Sequence, residues 1–107
     1  MCRRWSGGSS FFAAASDGVA FASEEALGRY DSSEWAQRGF CKRCGTTLFY
    51  FLKPASAYLI SVGAFDDQSP FRLVREICID QKPDGYAFAG DQERWSEAET
   101  FARLTPP

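Results

Sequence analysis

The chain has 107 residues, a length that fits a single domain. Hydrophobic residues make up 45% of it and aromatic residues 16%, which is enough for a core and excludes a disordered tail. The net charge is −2 and no long basic run occurs, so we expect neither nucleic acid nor a membrane surface as a partner. Histidine is absent, which excludes a Ser–His or Cys–His catalytic pair within the chain.

The N-terminal segment resembles a signal peptide only faintly. Its apolar run, residues 11–15, is shorter than the ~7–15 residues of a secretory hydrophobic region. No run approaches the length of a transmembrane helix. We therefore expect a cytoplasmic protein, and in that reducing compartment closely spaced cysteines favour metal binding over a disulfide.

The first half of the chain is predicted to be β-structure. Asp17 and Gly18 are a hairpin-turn signal, and we predict that the apolar runs on either side of them pair as strands. The strand-like segments of this half are residues 11–15, 19–22, 30–33, 36–40, 47–52 and 58–62.

The second half is predicted to hold one more strand, a turn and a helix. Residues 73–80 alternate in the period-2 pattern of a strand, on which Cys78 packs as a small apolar residue. Residues 82–85 include a Pro-Asp-Gly turn, and residues 95–104 have apolar side chains at the spacing of a short helix. The sum is one domain, residues 1–107, that is mostly β with about seven short strands.

Cys41 and Cys44 form the pattern around which the chain is organised. Two residues separate them and Gly45 follows, which is typical of a zinc knuckle whose turn needs a positive φ. One knuckle supplies two ligands, whereas a structural zinc needs four. From the residues alone, Cys2 and Cys78 are possible third and fourth ligands, and a free thiol pair or a disulfide is the alternative.

Four motifs together resemble one known family. They are Cys2-Arg3-Arg4-Trp5-Ser6-Gly7-Gly8, Tyr30-x-Ser32-Ser33, Arg38-Gly39-Phe40-Cys41-x-x-Cys44-Gly45-Thr46-x-Leu48 and Val62-Gly63-x-Phe65-Asp66-Asp67. In this order they resemble the glutathione-dependent formaldehyde-activating enzyme family. The resemblance implies a β-tent of small antiparallel sheets with a zinc knuckle. It also implies a zinc-dependent carbon–sulfur lyase that adds the glutathione thiol to formaldehyde, giving S-hydroxymethylglutathione.

The resemblance also implies roles for individual residues. Cys41 and Cys44 match half of the family's structural zinc site. Cys2 matches the last cysteine of the trio that holds the catalytic zinc. The residues that the resemblance places at a substrate, glutathione or another small thiol together with an aldehyde, are Arg3, Arg4, Trp5, Gly7 and Gly8.

The chain departs from the family pattern at its N-terminus. An early Cys-x-Cys strand and the first two cysteines of the catalytic trio are not in this sequence. We therefore expect a β-tent domain that is incomplete at its N-terminus, with impaired activity and uncertain zinc occupancy. The alternative is a non-catalytic zinc-knuckle module or a gene fragment. A missing strand would leave a sheet edge open, and open edges tend to pair with another chain, here as a homodimer.

Overall fold

A computed structural model describes residues 2–15 and 19–104 of the chain, without the side chains of Cys2 and Leu104. The chain divides into two compact units, residues 1–71 and residues 72–107. The single-domain expectation stays a prediction. None of the helices in the two described ranges is long and apolar enough to cross a membrane.

The first unit is a five-stranded antiparallel sheet preceded by a short helix. Its elements are α1 (Cys2–Ser6), β1 (Phe12–Ala15), β2 (Leu27–Asp31), β3 (Ala36–Cys41), β4 (Thr47–Leu52), β5 (Ala57–Ser61) and a 3₁₀ helix (Val62–Ala64). The strand order is β1-β5-β4-β3-β2, so β1 and β2 are its edge strands. The mostly β prediction is confirmed, and homodimerisation through an edge stays a prediction.

The predicted hairpin between residues 11–15 and 19–22 is wrong. β1 pairs with β5 instead, in a register that places Phe12 opposite Ser61. Residues 19–22 form no strand. Within this segment the Phe21 ring packs on Phe49 and Tyr58, at centroid distances of 5.7 and 6.1 Å. The predicted Asp17-Gly18 turn lies outside the described residues.

The two faces of the sheet carry different side chains, because successive residues of a strand point to opposite sides. Phe49 is only 3% exposed and lies opposite Gly39, which lies opposite Arg29. We call this side the Phe49 face. The next residues along the strands, Tyr30 and Arg38, are register partners on the other side, which we call the Arg38 face.

Gly39 is required by the close approach of the Phe49 ring. A Cβ added at Gly39 would lie 2.3 Å from that ring, far inside van der Waals contact. The ring therefore lies directly over the backbone of the neighbouring strand. Just beyond this pair the register shifts, so that Phe40 lies opposite Thr47, which makes Leu48 the extra residue of a β-bulge.

The second unit is small and only partly matches its prediction. It contains β6 (Arg75–Glu76), a 3₁₀ helix (Ile79–Gln81), β7 (Glu93–Arg94) and α2 (Glu97–Leu104), and β6 pairs with β7 in parallel. The predicted strand over residues 73–80 is wrong outside β6. Cys78 ends it with a φ of +53°, and its N–H donates to Thr100 Oγ1 at 3.3 Å. Cys78 therefore lies half-buried in a turn.

The predicted C-terminal helix is confirmed, and a capping box begins it. The Ser96 hydroxyl accepts from the Glu99 N–H, and the Glu99 carboxylate accepts from the Ser96 N–H, both at 3.1 Å. These hydrogen bonds to Ser96 lower the pKa of Glu99. The Ser-x-x-Glu spacing is visible in the sequence, although the helix was predicted from its apolar spacing alone.

Candidate functional site

The turn between β3 and β4 has the geometry of a knuckle. The Gly45 N–H donates to the Cys41 carbonyl at 2.7 Å, and the Cys41 N–H donates to the Thr46 carbonyl at 2.9 Å. Gly45 has a φ of +79°, as predicted, which reverses the chain within a single tight turn. Both cysteines are free thiols, so no disulfide closes this turn.

The Cys44 thiol lies exposed within a set of hydrogen-bonding neighbours. Its sulfur is 2.9 Å from the Thr46 hydroxyl. The side chain and the backbone of Thr46, and then the Cys41 thiol, lower the pKa of Cys44 because each stabilises the thiolate. The thiolate is the form of cysteine that binds metal. The knuckle therefore presents two sulfurs at one point, one of them favoured as a thiolate.

The knuckle provides half of a structural zinc site. A four-coordinate zinc needs two further protein ligands. Within residues 2–15 and 19–104, no group of three or more cysteine, aspartate or glutamate side chains comes together. Cys78 belongs to the second unit, and the side chain of Cys2 lies outside the described residues. The described side chains thus fit a metal only as a two-thiolate partial site.

The segment Cys2–Gly8 forms a short helix that ends in a tight turn. The Gly7 N–H donates to the Arg3 carbonyl at 2.9 Å, and Gly7 has a φ of +78°. Arg3 and Arg4 are exposed on α1, whereas Trp5 is half-buried. The Trp5 ring stacks on the Phe12 ring, with 6.5 Å between the ring centroids. No atom outside its chain neighbours lies within 4 Å of a Cβ placed at Gly8. The segment is therefore held to the sheet by Trp5.

A cleft of about 380 Å³ opens beside Trp5. Hydroxyl groups and aromatic rings share its wall. The lining residues are Trp5, Ser6, Ser9, Ser10, Phe11, Phe12, Thr47, Ser61 and Gly63. Its size is within the range of small-molecule sites, and its mix of apolar walls and hydroxyls suits a small polar ligand.

The sheet register brings this cleft to the knuckle. Thr47 lines the cleft and is the first residue of β4 after the knuckle turn. Ser61 ends β5 and lies opposite Phe12, the first residue of β1. The antiparallel order thus collects the knuckle, the end of β5 and the segment that carries Trp5 at the same end of the sheet. Of the predicted site residues, the structure brings Trp5 to this cleft.

Arg38 lies on the Arg38 face next to the same tryptophan. Its guanidinium carbon is 5.1 Å from the centre of the Trp5 ring and 5.9 Å from the centre of the Tyr30 ring. The Nε atom is buried and has no hydrogen-bond partner among the described residues. Arg38 lies within one of the sequence motifs, but the motif assigns it no role. The sequence does not predict a role for a single arginine on a strand, because the residues that surround it come from other parts of the chain.

The remaining polar residues of the motifs have local roles or no partner. Asp67 accepts from the hydroxyl of Ser69 at 2.7 Å and from its N–H at 3.0 Å, and these hydrogen bonds lower the pKa of Asp67. This is the geometry of a turn, and it holds the carboxylate in its charged form. The Ser32 hydroxyl donates to the Ala36 carbonyl at 3.5 Å, and the Ser33 hydroxyl is buried without a partner in the described part of the chain.

Comparison with known proteins gives one informative match. No family model matches the chain, and no solved structure matches it. An uncharacterized lyase of Schizosaccharomyces pombe is 34% identical to it over 104 residues, which cover 96% of this chain and 76% of the yeast protein. The chain therefore belongs to the same family as this fission-yeast lyase.

Proposed function

We propose that this protein is a carbon–sulfur lyase that acts on adducts of a small thiol with an aldehyde. The pair we name is glutathione and formaldehyde. The observation that carries the proposal is the 34% identity to a protein named as a lyase, over almost the whole chain. The four motifs that resemble the glutathione-dependent formaldehyde-activating enzymes support the finer assignment of substrates.

The reaction forms or breaks one carbon–sulfur bond. In the forward direction the thiol sulfur adds to the carbonyl carbon, and the carbon–oxygen π bond opens. The proton of the thiol moves to the carbonyl oxygen, which gives a hydroxymethyl thioether. In the reverse direction the hydroxyl returns its proton to sulfur, and the free thiol and the aldehyde separate. No oxidant or reductant is consumed in either direction.

The cleft beside the knuckle would hold the thiol substrate. Its aromatic wall, Trp5 and Phe12, would pack against the aliphatic parts of a tripeptide and exclude water from the sulfur. The hydroxyls of Thr47 and Ser61, which line the cleft, would donate to or accept from peptide groups of the ligand. Arg3 and Arg4, which are exposed, would add a favourable electrostatic potential for an anionic substrate.

Zinc is the cofactor that we propose. Cys41 and Cys44 would hold half of a structural zinc site, and Cys2 would be one ligand of a separate catalytic zinc. When bound, zinc supplies Lewis acidity, which stabilises a thiolate or polarises an aldehyde. Because the described side chains form only a two-thiolate partial site, we propose that metal binding is weak and that activity is low. The position of Cys44 next to Thr46 supports its assignment as a ligand, since the hydroxyl favours the thiolate.

The test is the rate at which S-hydroxymethylglutathione forms from glutathione and formaldehyde. We expect a small increase over the uncatalysed rate that depends on added zinc. The increase should disappear in Cys41→Ser and in Cys44→Ser, whereas Cys78→Ser, in the second unit, should retain it. Zinc bound per chain, measured by elemental analysis, should fall in the same two variants.

Two outcomes would contradict the proposal. A folded protein that binds zinc and does not accelerate adduct formation or cleavage is a non-catalytic module. An acceleration that is equal in the Cys41→Ser and Cys44→Ser variants would remove the knuckle from the reaction.

A further inference from the structure

Arg38 is a cation without an anion in the described part of the chain. The ion pairs there involve other basic residues: Arg29, Arg43, Lys53, Arg75 and Arg94. Among the described residues, the Arg38 guanidinium lies over the rings of Trp5 and Tyr30. Its Nε–H is buried and unpaired. A buried donor of a charged group that lacks an acceptor is costly, and folded proteins rarely leave one.

Arg29 shows how the same sheet treats an arginine that has a structural role. Its guanidinium also lies over two aromatic rings, those of Phe21 and Phe49, at 5.5 and 5.4 Å. In addition its Nη atoms donate to Glu24 at 3.3 Å and to Gln37 at 3.4 Å. Both arginines thus lie over two aromatic rings, but among the described residues only Arg29 has acceptors. The acceptor that Arg38 lacks has to come from outside the described chain.

We propose that Arg38 binds a carboxylate of the ligand that occupies the adjacent cleft. A carboxylate that approaches side-on accepts from Nε and from one Nη together, the bidentate geometry in which arginine is most selective. Trp5 connects the two places, because its ring contacts the Arg38 guanidinium and also lines the cleft. With the proposed function as its premise, the ligand class is a small thiol or thioether that carries at least one carboxylate.

Arg38 differs from Arg3 and Arg4, the arginines that the family resemblance indicates, in how far its side chain is fixed. Arg3 and Arg4 are exposed on a five-residue helix, and a ligand there would have to order their side chains. Arg38 is on a central strand, with the aromatic rings already limiting its rotamers. A preorganised donor loses less conformational entropy on binding. Arg38 therefore determines which end of the ligand binds, and Arg3 and Arg4 contribute charge.

Binding also requires a small movement around Arg38 Nε. Nε has almost no surface open to solvent, so groups packed around it, the two rings among the candidates, have to shift before a carboxylate can reach it. Trp5 is the ring that faces the cleft. We therefore expect the fluorescence of Trp5 to change when the ligand binds.

The experiment is a titration of the whole chain with S-methylglutathione, followed by the ¹⁵N–¹H resonance of Arg38 Nε. This probe keeps both carboxylates of glutathione but has no thiol, so it binds without reacting. We expect a saturable shift of that resonance. Arg38→Lys keeps the positive charge but loses the paired N–H donors of the guanidinium. We expect it to weaken binding of S-methylglutathione about tenfold or more.

Two controls make the result specific. Arg29→Lys is the matched variant, since Arg29 also lies on aromatic rings in this sheet, and it should leave binding unchanged within about twofold. The diamide of S-methylglutathione has no carboxylate, and it should bind wild type and Arg38→Lys equally weakly. Thermal unfolding of both variants reports whether each is folded.

The inference is overturned if the Nε resonance of the wild-type protein does not move at saturation. It is also overturned if folded Arg38→Lys binds the probe as tightly as wild type does. Failure of the proposed function gives a different result, because binding that depends on Arg38 would persist without adduct formation. Conversely, adduct formation whose KM is unchanged in Arg38→Lys would retain the proposed function and remove Arg38 from it.

Discussion

Each face of the five-stranded sheet has an arginine that lies over aromatic rings, but the two arginines differ in their hydrogen bonds. On the Phe49 face, Arg29 has aromatic contacts and also the acceptors of Glu24 and Gln37. On the Arg38 face, Arg38 has aromatic contacts but no acceptor within the described residues. An arginine with a structural role donates its N–H groups to acceptors of its own protein, as Arg29 does. This difference between the two arginines is the basis on which we propose a ligand for Arg38.

A row of paired polar side chains runs along the Phe49 face, and we call it the polar border of that face. Gln37 accepts from Arg29 and donates to Asp31 at 2.9 Å, and Asp31 also pairs with Lys53 at 3.0 Å. Each side-chain amide or charge in this row therefore has a partner. Four predictions test the contrast.

The largest difference is expected between Phe49→Ala and Tyr30→Ala. Phe49 is 3% exposed, so its truncation should lower the free energy of unfolding by about 3–5 kcal/mol. Tyr30 is 59% exposed, and its truncation should cost less than about 1 kcal/mol. Denaturant unfolding followed by circular dichroism measures both. Equal losses would mean that the two faces contribute equally to the core.

The next effect concerns the close approach on the Phe49 face. Gly39→Ala places a methyl group against the Phe49 ring and should lower the free energy of unfolding by about 1–3 kcal/mol. Gly8→Ala is the control, because no atom beyond its chain neighbours lies within 4 Å of the new methyl. It should leave the free energy of unfolding within about 1 kcal/mol of wild type. A Gly39→Ala protein as stable as wild type would show that the ring moves aside freely.

A third comparison replaces each arginine by methionine. Arg29→Met removes two hydrogen-bonded partners and should lower the free energy of unfolding by about 1 kcal/mol. Arg38→Met removes a donor that lacks a partner and keeps the aliphatic contact with the rings. It should therefore be neutral or stabilising in the ligand-free protein. A loss in Arg38→Met as large as in Arg29→Met would give Arg38 a structural role.

The smallest effect is a dependence on pH along the border of the Phe49 face. The hydrogen bond from Gln37, followed by the hydrogen bond and charge of Lys53, lowers the pKa of Asp31 in the folded protein. A lowered folded-state pKa adds stability above the unfolded pKa of about 3.9 and loses it as pH falls through the folded value. Asp31→Asn should be slightly less stable than wild type at pH 7, with the difference vanishing in acid. Urea unfolding at both pH values measures this, and a constant difference would contradict it.

Much of the first unit was predictable from local patterns. The strand at residues 47–52 has the predicted bounds, and the positive φ of Gly45 follows from the Cys-x-x-Cys-Gly turn itself. The predicted hairpin partner of β1 failed because strand pairing depends on which edge is free, and β5 provided that edge. The predicted strand at 73–80 failed because a hydrogen bond to Thr100, twenty-two positions away in sequence, holds Cys78 in a turn.

The sequence by itself determined the knuckle, the mostly β fold and the motifs that indicate a lyase family, because each depends on residues adjacent in the chain. Only the tertiary structure decided which side chains meet. Trp5, Tyr30 and Arg38 come from a helix and two strands, and no local pattern links them. The absence of an acceptor at Arg38 is likewise a property of packing, because it depends on every group that surrounds the guanidinium.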